Sequence, residues 1–186
     1  MSDATRTLTR RAALKAGLAG SALAATGLLG AFASSTATAA NVSRAQDEDQ
    51  TLLEDIADIL LPTTATSPGA KAAGVGAMMA RVLADCESPE TQQRVAAGLR
   101  GLRETSRARG GDFASLPLAE RERLIRDIDT IAQQEGDTHW FTSVRMLALN
   151  AYFTSEVGLT RAMRYVPVPG RYDGCVPLEP GQPAWA

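Results

Sequence analysis

The residues able to do chemistry in this chain are few: His139 is the sole histidine, and Cys86 and Cys175 are the only cysteines. A Ser-His-Asp arrangement would rest entirely on His139, which lies beside Trp140 where a helix should start, so it reads as a capping or packing histidine. Two cysteines with 88 residues between them and one histidine cannot build a four-ligand zinc site without carboxylates. There is no Cys-x-x-Cys-His run to attach a haem and no Gly-x-Gly-x-x-Gly turn to cradle a dinucleotide. Met78, Met79 and Met146 are soft donors, but at helical spacing they read as core filler. An enzyme would leave one of these traces. A folded domain without them points to service for another protein, as against a stand-alone binding protein or a small enzyme that depends on His139.

Helices must position whatever this chain presents. Leu52, Leu53, Ile56, Ile59 and Leu60 recur at helical spacing up to Pro62, with residues 40–46 as a polar leader and Asp47 as the expected cap. Thr63 to Gly69 is turn chemistry. Val75, Met78, Met79, Val82 and Leu83 mark one face of a second helix, on which Cys86 is expected to be buried. Ser88 and Pro89 start a third helix that runs to about Arg109 and stops at Gly110-Gly111. A fourth, led in by Phe113, Leu116 and Leu118, carries Leu124, Ile125, Ile128 and Ile131 inward. Glu120, Arg121, Glu122, Arg123, Arg126 and Asp127 read as its solvated face. The fifth, from about Thr138 to Tyr152, aligns Phe141, Val144, Leu147, Ala148 and Ala151.

Beyond Ser155 the pattern breaks. Pro167, Pro169, Pro177, Pro180 and Pro183 exclude a helix or a central strand, yet Tyr165, Tyr172 and Trp185 are more aromatic content than a disordered tail should hold. The expected architecture is an all-α bundle of about five helices over residues 40–155, followed by an extended Pro/Gly-rich arm over residues 156–186 that lies on something.

Residues 1–39 read as a processed segment. Thr9-Arg10-Arg11-Ala12-Ala13-Leu14-Lys15 resembles the twin-arginine export motif, and the uncharged residues 16–33 are too weakly hydrophobic for a membrane span. Small residues at Ala37 and Ala39 place cleavage between Ala39 and Ala40, and the lack of a nearby cysteine argues against a lipid anchor. An uncleaved anchor, or an ordinary Sec signal holding an Arg-Arg pair, are the alternatives. Without this segment the 186-residue chain keeps 15 basic and 20 acidic residues, mildly acidic with no basic stripe to track phosphates, so nucleic acid is not an expected partner.

From the first mature helix onward the chain resembles the gluconate 2-dehydrogenase subunit 3 family, the small subunits of bacterial flavin-dependent sugar and sugar-acid dehydrogenases. The resemblance rests on Ile59-Leu60-Leu61-Pro62, on Ser67-Pro68-Gly69-Ala70, on Ala151-Tyr152-Phe153-Thr154-Ser155-Glu156-Val157-Gly158, and above all on the tail from Arg164 to Leu178. A Tyr-Gly-Gly-Asn segment found in some members is absent. The resemblance implies a noncatalytic subunit without flavin of its own, paired with a large FAD-binding subunit of the glucose-methanol-choline type and in some systems with a cytochrome c subunit.

It also implies export of the folded flavoprotein complex to the periplasm on this chain's signal, with Arg10 and Arg11 read by the twin-arginine translocase. Tyr152, Phe153, Arg164, Tyr165, Pro167, Pro169, Arg171, Tyr172 and Trp185 are then expected to face the large subunit. Two cysteines in an exported protein suggest a disulfide. It could be an internal bridge from Cys86 to Cys175 or one from Cys175 to the large subunit, and a buried Cys86 would favour the second. The sugar itself would be read by the partner.

Overall fold

A computed structural model describes the backbone of residues 29–168, 170, 175, 177 and 179–185, with side chains from residue 44 onward. Arg10 and Arg11 lie outside the described residues, as do Pro169, Arg171 and Tyr172 and the side chains of Ala39 and Ala40. Of the unit Met1–Val42, only the helical backbone from residue 29 is described. The unit Ser43–Ala186 contains the core.

Five α-helices form among the described residues: α1 (Leu29–Leu60), α2 (Val75–Asp85), α3 (Pro89–Ala108), α4 (Leu118–Glu135) and α5 (Trp140–Phe153). The fold is an all-α bundle, as the periodicity requires. Short 3-10 turns at Phe113–Ser115 and Gly136–Thr138 bracket α4, and a π-helical turn, Gly158–Ala162, follows α5. No helix among the described residues is long and apolar enough to cross a membrane.

The apolar stripes close one core. Leu53 and Ile56 of α1, Val75 and Met79 of α2, Val95 and Leu99 of α3, Leu124 and Ile125 of α4, and Phe141 and Val144 of α5 are all buried. Helix α5 is the hub, packing against α2, α3 and α4. Two close approaches are possible only because glycine has no Cβ. At Gly76 a Cβ would meet Cβ of Glu54 on α1 at 2.5 Å, and at Gly98 on α3 it would fall 2.1 Å from the Trp140 ring at the start of α5.

Boundaries follow local chemistry. Ser88 accepts the Thr91 N–H at 3.2 Å with Pro89 at the first helical position, and α3 ends where Gly110 takes φ 117°. His139 caps α5, its Nδ1 accepting the Phe141 N–H at 3.1 Å, which is the capping role its position suggested.

Four expectations fail for identifiable reasons. Asp47 is interior to α1 and does not cap it; its carbonyl accepts the Thr51 hydroxyl at 2.9 Å, and no Gly or Pro interrupts the chain from Ala31 to Leu61. Cys86 is exposed although it stays in register with α2, its N–H donating to the Val82 carbonyl at 2.9 Å: the buried residues of α2 are Val75, Gly76 and Met79, all in its first half, so the same face is uncovered at its end. Met78, Met146 and Ile131 are exposed as well, Met79 alone of the suspected core methionines being buried, since each apolar stripe is wider than the face its helix covers. Finally, the arm is not extended from residue 156, because the proline-free stretch Gly158–Ala162 makes the π-helical turn first.

Candidate docking face

Tyr152 is the first along the chain of the residues expected to face the large subunit, and it is buried within its own chain. It is 3% exposed, because its place four and eight residues after Ala148 and Val144 puts it on the buried stripe of α5. Its hydroxyl donates to the Pro68 carbonyl and meets Ser67 Oγ at 2.7 Å. The phenol therefore ties the end of α5 to the loop between α1 and α2. That loop is itself closed by short polar links: Thr64 Oγ1 accepts the Ser67 N–H at 3.1 Å, and Thr63 Oγ1 accepts the Gly69 N–H at 3.1 Å. Tyr152→Phe is expected to lower the unfolding free energy by about 1–3 kcal/mol, since a part-buried carbonyl loses its donor. A urea melt of the purified domain with an unchanged midpoint would contradict the tie.

Beyond Tyr152 the chain turns outward. Phe153 packs edge-on to Tyr152 at 5.1 Å between ring centroids and is 36% exposed. The π-helical turn then presses against the end of α5: a Cβ on Gly158 would lie 2.0 Å from the Tyr152 carbonyl oxygen and 3.1 Å from Cα of Phe153. Ser155 secures the junction, its hydroxyl donating to the Tyr152 carbonyl at 2.6 Å while accepting the Gly158 N–H at 3.0 Å. The start of the arm is thus held in a fixed place at the end of the hub helix.

The arm closes on itself. Glu179-Pro180-Gly181-Gln182 forms a turn with Gly181 at φ 77°, the Gln182 N–H donating to the Glu179 carbonyl at 3.0 Å. Three residues after Gln182, Trp185 pairs with Arg164 as an isolated parallel bridge, in which the Arg164 N–H donates to the Ala184 carbonyl at 2.7 Å. The Arg164 guanidinium sits 4.2 Å from the centroid of the Trp185 ring. Tyr165 and Trp185 are each 50% exposed, and Pro167 and Val168 are also exposed. Phe153, Arg164, Tyr165, Pro167 and Trp185 are therefore surface residues. Cys175 is an exposed free thiol on the same arm; Cys86 is another, so no bridge joins the two.

Two grooves adjoin the bundle. One, of about 650 Å³, lies between α1, α2 and the end of α5 and is lined by Gln50, Met78, Arg81, Asp85, Thr154 and Ser155. The other, about 520 Å³, is lined by charges of both signs from α1 and α3, among them Glu48, Asp55, Arg103 and Arg107. Burial pushes the Asp55 carboxyl above its ordinary range, against the opposing pull of Lys71 and Arg121. The charged face of α4 is mostly solvated, although Glu120 and Arg121 are half-buried and Glu120 pairs with Arg109 at 3.8 Å. Among the described residues no group of three or more His, Cys, Asp or Glu side chains is arranged to hold a metal ion.

Sequence reasoning missed the Tyr152 tie, the Arg164–Trp185 clasp and the glycine contacts. Only the glycines left a signal: an isolated Gly inside a helical pattern, as at Gly98, marks a close approach.

Comparison with known proteins finds one family model, described as gluconate 2-dehydrogenase subunit 3, which matches residues 47–170. No curated protein and no solved structure matches the chain.

Proposed function

The chain belongs to the gluconate 2-dehydrogenase subunit 3 family, and on that premise we propose that it is the noncatalytic small subunit of a periplasmic dehydrogenase. Its partner in this reading is a large subunit of the glucose-methanol-choline type that binds FAD and oxidises a sugar or glycoside, with a cytochrome c subunit as a further electron acceptor in some assemblies. The observation that carries the reading is the extent of the family match, from Asp47 in α1 to Gly170 in the arm, which takes in both the bundle and the start of the exposed arm.

The chain's own contribution is export and maturation of that partner. Arg10 and Arg11 stand in a Thr-Arg-Arg-Ala-Ala-Leu-Lys run ahead of a weakly apolar stretch, the arrangement a twin-arginine translocase reads. Flavin is inserted into a folded protein before export, so a route for folded cargo suits a flavoprotein that carries no signal of its own. Expressed alone, the chain is expected to show no flavin absorbance and no dye-linked sugar oxidation, while the large subunit made without it is poorly soluble or inactive. Visible spectra and dye reduction on the separately purified proteins check both halves. A flavin bound to the isolated small subunit would overturn the assignment.

Cys175 extends the reading. An exposed thiol on an arm applied to a partner, in an oxidising compartment, is placed to form a disulfide with that partner. Non-reducing electrophoresis of the complex should give a band at the summed mass that Cys175→Ser abolishes; separate subunits without reductant would refute it. Cys86, equally exposed, serves as the comparison, and Cys86→Ser should leave the band in place.

A further inference from the structure

We propose that the primary docking surface for the large subunit is the outer stripe of α5, formed by Met146, Leu149, Asn150 and Phe153 and continued by the basic start of the arm. The matching surface on the flavoprotein is an apolar patch rimmed by carboxylates. The inference rests on the functional reading above and deepens it, because the stripe lies outside the arm to which sequence reasoning assigned nearly all of the contact.

The case begins with the composition of α5. Trp140-Phe141-Thr142-Ser143-Val144-Arg145-Met146-Leu147-Ala148-Leu149-Asn150-Ala151-Tyr152-Phe153 carries one charge, Arg145, and that charge is engaged by Asp129 of α4. The other polar residues of α5, Thr142, Ser143 and Asn150, are uncharged, so little of the helix calls for solvent. Packing against α2, α3 and α4 covers one side only, burying Phe141, Val144, Leu147, Ala148, Ala151 and Tyr152. Positions 146, 149, 150 and 153, which share the opposite face at helical spacing, are left outward: Met146 is 50% exposed and Leu149 half-buried. The stripe ends at Phe153, where Gly158 holds the arm against the helix end, so helix and arm present a continuous surface.

Charge selects the occupant. The start of the arm, residues 156–168, holds Arg161 and Arg164 against a single acid, Glu156, although residues 40–186 as a whole carry more acid than base. Arg161 and Arg164 are exposed, and among the described residues neither has a carboxylate within ion-pair distance. An apolar strip with arginines at one end complements an apolar patch with acids at its edge, and arginine beside aromatic rings is the composition that dominates binding energy at interfaces.

The test uses the full chain co-expressed with the flavoprotein that co-purifies with it from its host. Met146→Asp with Phe153→Asp is expected to weaken the complex about 100-fold or more, as central apolar anchors do, while circular dichroism shows that the variant alone is still folded and helical. Met146→Asp by itself, at a side chain that is half exposed, should weaken the complex with an unchanged melt. Arg161→Glu, which alters an exposed side chain outside the Arg164–Trp185 clasp, should slow association and reduce its dependence on salt. Leu118→Asp with Ile131→Asp, on the exposed side of α4, should leave affinity within about twofold. The proposal is overturned if the α5 variant folds and still binds like wild type, or if the α4 variant is the one that dissociates. A dimer of the chain alone that Met146→Asp breaks would name a second copy as the occupant and overturn it too. A wild-type chain that brings no flavoprotein at all would remove the proposed function itself, an outcome distinct from a complex that forms but ignores α5.

Discussion

Replacing Arg10 and Arg11 with lysine is expected to abolish periplasmic dehydrogenase activity while leaving the same activity, and the folded small subunit, in the cytoplasm. The pair belongs to the unit Met1–Val42 and not to the unit Ser43–Ala186 that contains the core. Lysine keeps the charge but not the planar fork of donors through which arginine is recognised. Because the large subunit is proposed to travel on this signal, the two proteins should be stranded together. Fractionation of cells and a dye-linked assay of each compartment measure the effect directly. Normal periplasmic activity in the double variant would show that the partner has its own route, and the carrier role would fall.

The second large effect is expected inside the bundle, where two glycines of one helix should respond with opposite sign. Gly98 and Gly101 both lie in α3. In an open helical position, Gly→Ala gains about 0.5–1 kcal/mol from propensity alone. Gly101 is such a position, with nothing within 4 Å of an added Cβ, and Gly101→Ala should stabilise the domain. At Gly98 the added carbon would lie 2.1 Å from Cδ2 and 2.3 Å from Cγ of Trp140. That overlap cannot be relieved by a small rotation, because Trp140 opens α5, held in place by the His139 cap and by Phe141 buried beside it.

Gly98→Val should therefore cost about 3 kcal/mol or more, enough to threaten folding in a domain of marginal stability. Because α5 is also the helix proposed to carry the docking stripe, the variant should lose the partner along with its fold. Thermal melts of the two variants decide the matter. Equal shifts, or a stabilising Gly98→Ala, would mean that α3 and α5 do not approach so closely.

How far the molecule could be read from its residues depended on the range of the forces involved. The helices were legible because apolar periodicity and caps are local: Ser88 with Pro89, Gly110 after Arg109, and Phe141 to Ala151 at helical spacing each declare themselves within a few residues. Cys86 shows the limit of the same reasoning, since periodicity assigns a face of α2 but not how far along that face the core reaches, and full burial stops at Met79, with Val82 and Leu83 only partly buried. Met146 and Phe153 show another, because a helix with apolar residues on more than one side does not announce which side its own chain will cover.

The surface was legible in part. Tyr165, Arg164 and Trp185 stand out as aromatic and cationic residues in a proline-rich tail, and they lie on the surface. Tyr152 was misplaced for a physical reason: a tyrosine serves equally well as a core residue with one hydrogen bond to make or as an interface residue with one to offer. Only its donation to the Pro68 carbonyl, 84 residues away in the chain, decides between them. The Arg164–Trp185 clasp likewise joins positions whose proximity depends on the turn at Gly181, which no pairwise spacing encodes.

The central claim is that this chain is the carrier subunit of a flavoprotein dehydrogenase. The most direct measurement is purification of the protein from the periplasm of its host under native conditions, with the visible spectrum and the mass of every co-purifying chain recorded. A yellow complex with flavin absorbance is expected, containing this chain without residues 1–39 together with a large FAD-binding subunit, and oxidising a sugar with an artificial acceptor. A colourless protein that emerges alone, with no flavoprotein in the same fractions, would contradict it.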